Sequence, residues 1–157
     1  MSVVFEGILL SKPRTSAAKI QAEINISMQV VEISLEVLIL HRSNRDENQF
    51  TAEVDSLSAR LSHDVEFALL IRYDSRIGYR SSACYEAGQK ISEFTDRDEL
   101  YVPLNEDGLP DNSVTPLRVD QLSDELEYET CKNAIQLGLE RIGRPELWRE
   151  VFSVISE

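Results

Sequence analysis

The stretch INISMQVVEISLEVLIL, residues 24–40, decides how this chain folds, because its apolar residues satisfy two periods at once. Read as strand, Ile24, Ile26, Met28 and Val30 alternate with polar neighbours. The phase then slips by one, and Val31, Ile33, Leu35, Val37 and Ile39 continue the period of two that lines one face of a pleated sheet. Read as helix, Ile20, Ile24, Met28, Val31, Leu35 and Leu38 fall at spacings of three and four. Ile and Val dominate from Ile24 onward, and β-branched side chains lose rotamer freedom in a helix, so strand is the preferred reading. A bulge or bend near Val30-Val31 accounts for the slip.

Working outward, Val3 to Leu10 forms a candidate strand closed by the Lys12-Pro13 turn signal. The polar run Arg42 to Asn48 reads as a hairpin loop, with Phe50, Ala52 and Val54 alternating on its far side. Val65, Phe67, Leu69, Ile71 and Tyr73 make a further period-two face, with Glu66, Arg72 and Asp74 opposite. Residues 1–74 are thus expected to hold four or five mostly antiparallel strands. Residues 75–119 are punctuated by Gly78, Gly88, Pro103, Gly108, Pro110 and Pro116 and read as an acidic, turn-rich excursion. Within it, Leu100 to Leu104 suggests a short strand, and Ala83, Ala87 and Ile91 suggest a helix over Ser82 to Phe94.

From Asp120 the period becomes helical. Asp120 or Ser123 is placed to cap, Asp124, Glu125 and Glu127 suit the positive end of the dipole, and Gly143 suits the exit after Arg141. Tyr128, Cys131, Ile135, Leu139 and Ile142 form one stripe, with Leu122, Leu126, Ala134 and Leu137 beside it. Pro145 then opens a shorter helix with Leu147, Trp148, Val151, Phe152 and Ile155 on its apolar face. The expected fold class is α+β: a single domain with an antiparallel sheet of four or five strands, then a helical C-terminal part over residues 120–157 made of a long helix and a short terminal one.

The chain has 157 residues, 42% of them apolar, which suits one core. Its formal charge of −12 argues against nucleic acid, whose phosphates require clustered cations. That charge is concentrated: residues 93–130 hold 12 acids and 2 bases, net −10. A protein partner with a basic or neutral surface is the better match. Val37 to Leu40 and Phe67 to Ile71, the longest apolar stretches, are far too short to span a bilayer, and the N-terminus lacks the pattern of an export signal. A cytoplasmic protein with reduced Cys84 and Cys131 is expected.

Candidate chemistry is sparse. His63-Asp64 is the one histidine with an adjacent carboxylate, and His41 sits at a strand end, but adjacency does not orient a general base. Cys84 near Arg80 and Cys131 beside Lys132 read as small buried hydrophobes. Asn105, Asp107 and Gly108 fit part of a calcium loop, but Pro103 occupies the first ligand's place and no bidentate Glu follows. With no phosphate loop, paired-cysteine site or nucleophile elbow, neither catalytic residues nor metal nor cofactor is expected.

Ile33 to Ile39, the polar loop 42–48 and Phe50-Thr51-Ala52-Glu53-Val54 together resemble the central hairpin of SecB-like export chaperones. Tyr128, Cys131, Ile135, Arg141 and Pro145-Glu146-Leu147 are similar to that family's long helix and the proline-led segment after it. The resemblance implies a homo-oligomeric holdase that uses no nucleotide and keeps an export precursor or a labile antitoxin unfolded. Its groove would be lined by Leu38, Leu40, Leu70, Tyr128 and Trp148, the three leucines lying opposite the main apolar alternation unless helices or a second subunit cover them. The other class consistent with the chain is a monomeric immunity protein or inhibitor. That protein would neutralise a basic toxin or nuclease with Asp96, Asp98, Glu99, Glu106, Asp107 and Asp111.

Overall fold

The structure is a computed structural model, and it describes residues 4–22, 24, 28–42, 52–98, 100–101, 105–107, 111, 113–115, 117–118 and 131–156. Strands β1 (Val4–Ser11), β2 (Gln29–Ser34), β3 (Val37–Arg42), β4 (Phe67–Asp74), β5 (Tyr79–Glu86) and β6 (Gln89–Thr95) form one sheet in the order β2-β3-β1-β4-β5-β6. Every neighbouring pair is antiparallel. The fold class is α+β as expected, with one strand more than the upper count.

Side chains alternate across this sheet into two cores. Phe5, Leu9, Val37, Ile39, Leu69, Ile71 and Cys84 face helices α3 (Ala134–Arg141) and α4 (Trp148–Ser156). Ile8, Leu10, Leu38, Leu40, Ala68, Leu70, Ala83 and Tyr85 face α1 (Ala17–Ala22) and α2 (Ala52–Leu61). Because β1 has a strand on each side and helices over both faces, Phe5 through Ser11 are all buried, including Glu6. That double burial explains why β1 reads as an apolar run without alternation.

Several expectations are corrected. The stretch 29–42 is extended, but Leu35-Glu36 forms a two-residue turn between β2 and β3, with Glu36 at φ 60° and Ser34 paired to Val37. The register irregularity lies between Glu32 and Ser34, not at Val30-Val31. Ala52 and Val54 begin helix α2 and not a strand, since Val54, Leu57, Ser58 and Leu61 fall on one helical face and are buried. Residues 43–51, including Phe50 and most of the expected hairpin loop, lie outside the described residues.

Ser82 to Phe94 is a hairpin, not a helix. Ala87 (φ 50°) and Gly88 (φ 84°) supply the two left-handed residues that a tight hairpin turn requires, and the spacing of Ala83, Ala87 and Ile91 is coincidental. The sheet therefore takes two strands from the supposed excursion. Beyond it, Asp96–Asp98 form a 3-10 turn, and β7 (Leu100–Tyr101) pairs with β8 (Leu117–Arg118) and β9 (Cys131–Lys132).

The helix expected from Asp120 begins, in its described part, only at Ala134. Residues 119–130 lie outside the described residues, and Cys131 belongs to a strand, so it does not share a helical stripe with Ile135. The physical stop is Asn133: its side chain accepts from the N–H groups of Ile135 and Gln136, and the Gln136 side chain accepts from the Asn133 N–H. At the other end Gly143 takes φ 77°, with the Arg144 N–H donating to the Leu139 carbonyl at 2.8 Å. Pro145 opens a 3-10 turn, Pro145–Leu147, that leads into α4. There Val151, Val154 and Ile155 are buried, whereas Phe152, expected inside, is 50% exposed.

Candidate functional site

The three leucines proposed for a groove do lie on the face opposite Val37, Ile39, Leu69 and Ile71, and α1 and α2 cover them. Leu38 is 7%, Leu40 0% and Leu70 2% exposed. Trp148 is half-buried at the start of α4, its ring 5.5 Å from that of Phe152. Tyr128 lies outside the described residues. Among the described residues, Trp148 packs against the core on the α3/α4 face, whereas the three leucines belong to the core on the opposite face.

The acidic residues behave differently. Asp96 and Asp98 are exposed on the 3-10 turn that continues β6, where Asp98 accepts from the Thr95 N–H at 2.9 Å. Glu106 and Asp107 are exposed on a turn held by the Asp107 N–H donating to Asn105 Oδ1 at 2.9 Å. Asp111 is half-buried, and the Ser113 hydroxyl and N–H hold its carboxyl below the usual range. Glu99 lies outside the described residues.

A second polar site was not singled out by sequence. Glu6 on β1, Arg72 on β4 and Ser81 on β5 form a row across the sheet, each in register with the next. Arg72 Nε donates to Glu6 Oε2 at 2.8 Å, and Arg72 Nη2 donates to Asp55 Oδ2 on α2 at 3.0 Å. The Tyr85 hydroxyl donates to the other Asp55 oxygen at 3.3 Å. On β6, Lys90 Nζ donates to Glu93 Oε2 at 2.6 Å and lies 6.0 Å from the centroid of the Tyr85 ring. Asp55, Leu70, Arg72, Tyr79, Ser81, Ala83, Lys90 and Glu93 line a recess of about 40 Å³ beside these contacts.

The backbone explains this convergence. Lys90 and Glu93 are three residues apart, a spacing that sends side chains to opposite faces of a regular strand. The β5–β6 register slips by one between Cys84 and Tyr85, making Ile91 an extra residue and returning the pair to one face. Burial by itself would lower the Arg72 pKa, but hydrogen bonds to Glu6 and Asp55 outweigh it and the net displacement is upward. Burial pushes the Tyr85 phenol up, which keeps it a neutral donor, and Glu93 holds Lys90 above the usual lysine range. The available sequence signal was a pair of lone opposite charges, Glu6 and Arg72, inside two apolar strands.

Burial pushes the Cys84 thiol up to about 11, and it faces α3, whereas His63 is exposed against the Gly88 turn. His41 is buried and stacked on Phe5, with ring centroids 5.6 Å apart. Among the described residues no group of three or more His, Cys, Asp or Glu is placed to hold a metal ion, and no helix is long and apolar enough to cross a membrane.

Comparisons of the chain with protein-family models, curated proteins and solved structures return no match.

Proposed function

We propose that this chain is a non-enzymatic binding protein that engages a basic partner protein through its acidic middle segment, as an immunity protein or inhibitor does. One observation carries the reading: the chain's own helices cover both faces of the sheet, while Asp96, Asp98, Glu106 and Asp107 stand exposed. An anionic patch raises the association rate with a cationic surface and disfavours acidic competitors. The SecB-like holdase is the second reading, and the half-exposed Trp148–Phe152 pair on α4 favours it.

The two readings separate by salt and by the state of the partner. A tagged full-length chain, incubated with lysate of its source at 0.05 M and 0.5 M salt, is expected to retain one folded basic protein at 1:1 only at low salt. The quadruple variant Asp96→Asn, Asp98→Asn, Glu106→Gln, Asp107→Asn is expected to lose it. Salt-insensitive retention of many unfolded chains, together with suppressed aggregation of a denatured model client, would establish the holdase instead.

A further inference from the structure

The two terminal strands of the sheet meet solvent differently. β6 exposes Lys90 and Glu93 and carries a bulge at its middle, features that keep a sheet edge from pairing with another chain. β2, at the far edge, has Glu32 as its single charge, and its register with β3 is regular from Gln29 to Glu32. Its β-branched residues lie on both faces, Val30 against the α1/α2 core and Val31 and Ile33 against the α3/α4 core. All three are only half-buried, and among the described residues no strand lies beyond β2. A further strand would complete their burial on both faces at once.

Charge selects what that strand is. Asp96 and Asp98 follow directly on β6, five strand spacings from β2, which is about 24 Å. Two copies meeting at β6 would bring those acids together. Two copies meeting at β2 hold them apart by roughly double that span, several Debye lengths at physiological salt. A basic partner finds one carboxylate along β2, whereas a second β2 offers the same weakly charged, β-branched edge. We propose that two copies of this chain pair antiparallel through β2, about a two-fold axis centred on Val31, joining their sheets into one. Residues opposite each other in an antiparallel pair share a face, so a two-fold register must centre on a residue. Centring on Glu32 sets two carboxylates directly opposite, which is destabilising. Centring on Val31 pairs it with its own copy and sets Glu32 against Val30 of the second copy, with Ile33 and Gln29 matched at the two ends. Both acidic segments stay exposed in this dimer, whichever partner they take.

Light scattering coupled to size exclusion, run on the full-length chain over a concentration series, tests the pairing. Wild type is expected at twice the mass of the chain. Val31→Lys sets two ammonium groups opposite each other at the axis and should weaken the dimer more than about tenfold, whereas Glu93→Lys on β6 should leave it unchanged. Glu32→Gln relieves the diagonal contact of two carboxylates and should tighten the dimer about two- to fivefold, the scale of one cross-strand charge pair. Circular dichroism melting verifies that each variant folds. Should Val31→Lys fail to fold, Val31→Cys in a Cys131→Ser background keeps the register testable: mild oxidation should cross-link Val31→Cys and leave Gln29→Cys, which faces Ile33 of the second copy, uncrosslinked. A wild-type chain that stays monomeric throughout the series overturns the proposal. So does a dimer that survives Val31→Lys and is lost in Phe152→Ser, which would put the contact on α4. The quadruple acidic variant leaves β2 intact and should remain dimeric, so failure of the acidic-patch reading is scored separately.

Discussion

Leu40→Ala tests whether the α1/α2 face of the sheet is core or client groove. Leu40 is 0% exposed; it pairs with Ile8 on β1 and Val30 on β2 and belongs to the apolar cluster that includes Val54, Leu57 and Leu61 of α2. Truncating a fully buried leucine loses its transfer free energy and leaves a cavity, at a cost of about 2–5 kcal/mol. Small domains have only about 5–15 kcal/mol in total. For a chain of this size each kcal/mol moves Tm by roughly 2–4 °C, so a fall of about 4–20 °C is expected. Thermal melting followed by circular dichroism reads it, with Leu35→Ala as the control. Leu35 is 82% exposed in the β2–β3 turn, and its truncation should cost less than about 0.5 kcal/mol. A Leu40→Ala protein that melts within about 2 °C of wild type would refute the reasoning. Loss of aggregation suppression in the same variant would then assign the face to a client.

Three further outcomes follow from the same structure. Arg72→Met removes the guanidinium that donates to the Glu6 carboxylate, 3% exposed, and to Asp55, and should destabilise by about 3–5 kcal/mol; adding Glu6→Leu should restore most of that in urea unfolding. Asn133→Ala removes the capping box of α3 and should cost about 1 kcal/mol, measured the same way, with the fold retained. Arg76 donates to both Asp74 oxygens and holds this buried carboxyl below its usual range. The stabilisation is therefore present above the ordinary carboxylate pKa and is lost as pH falls through the lowered folded value. An acid titration of stability should lose that part of its slope below about pH 4 in Asp74→Asn.

Local pattern was informative where one period ruled. The alternation from Val65 to Tyr73 located β4, Pro145 and Gly143 marked the junction of the last two helices, and the net charge of residues 93–130 pointed to the stretch that holds the exposed Asp96, Asp98, Glu106 and Asp107. Where two periods competed, sequence misled. Phe50-x-Ala52-x-Val54 alternates over five residues, yet Val54, Leu57 and Leu61 bury one helical face, and it is the apolar sheet surface beneath them that selects the helix. Ala83, Ala87 and Ile91 imitated a helix because a left-handed turn and a bulge each shifted the phase of a hairpin.

The amino-acid sequence by itself determined the α+β class, the strand character of 29–42, the glycine exit from α3 and the concentration of negative charge, since each depends on neighbours within a few residues. Tertiary structure alone decided that Leu38, Leu40 and Leu70 are core and that Glu6, Asp55, Arg72, Tyr85, Lys90 and Glu93 form one site. Those residues come from four strands and a helix, and strand order and register bring them together. Pairings between strands so distant along the chain are set by how both sheet faces are buried together, which no local period encodes.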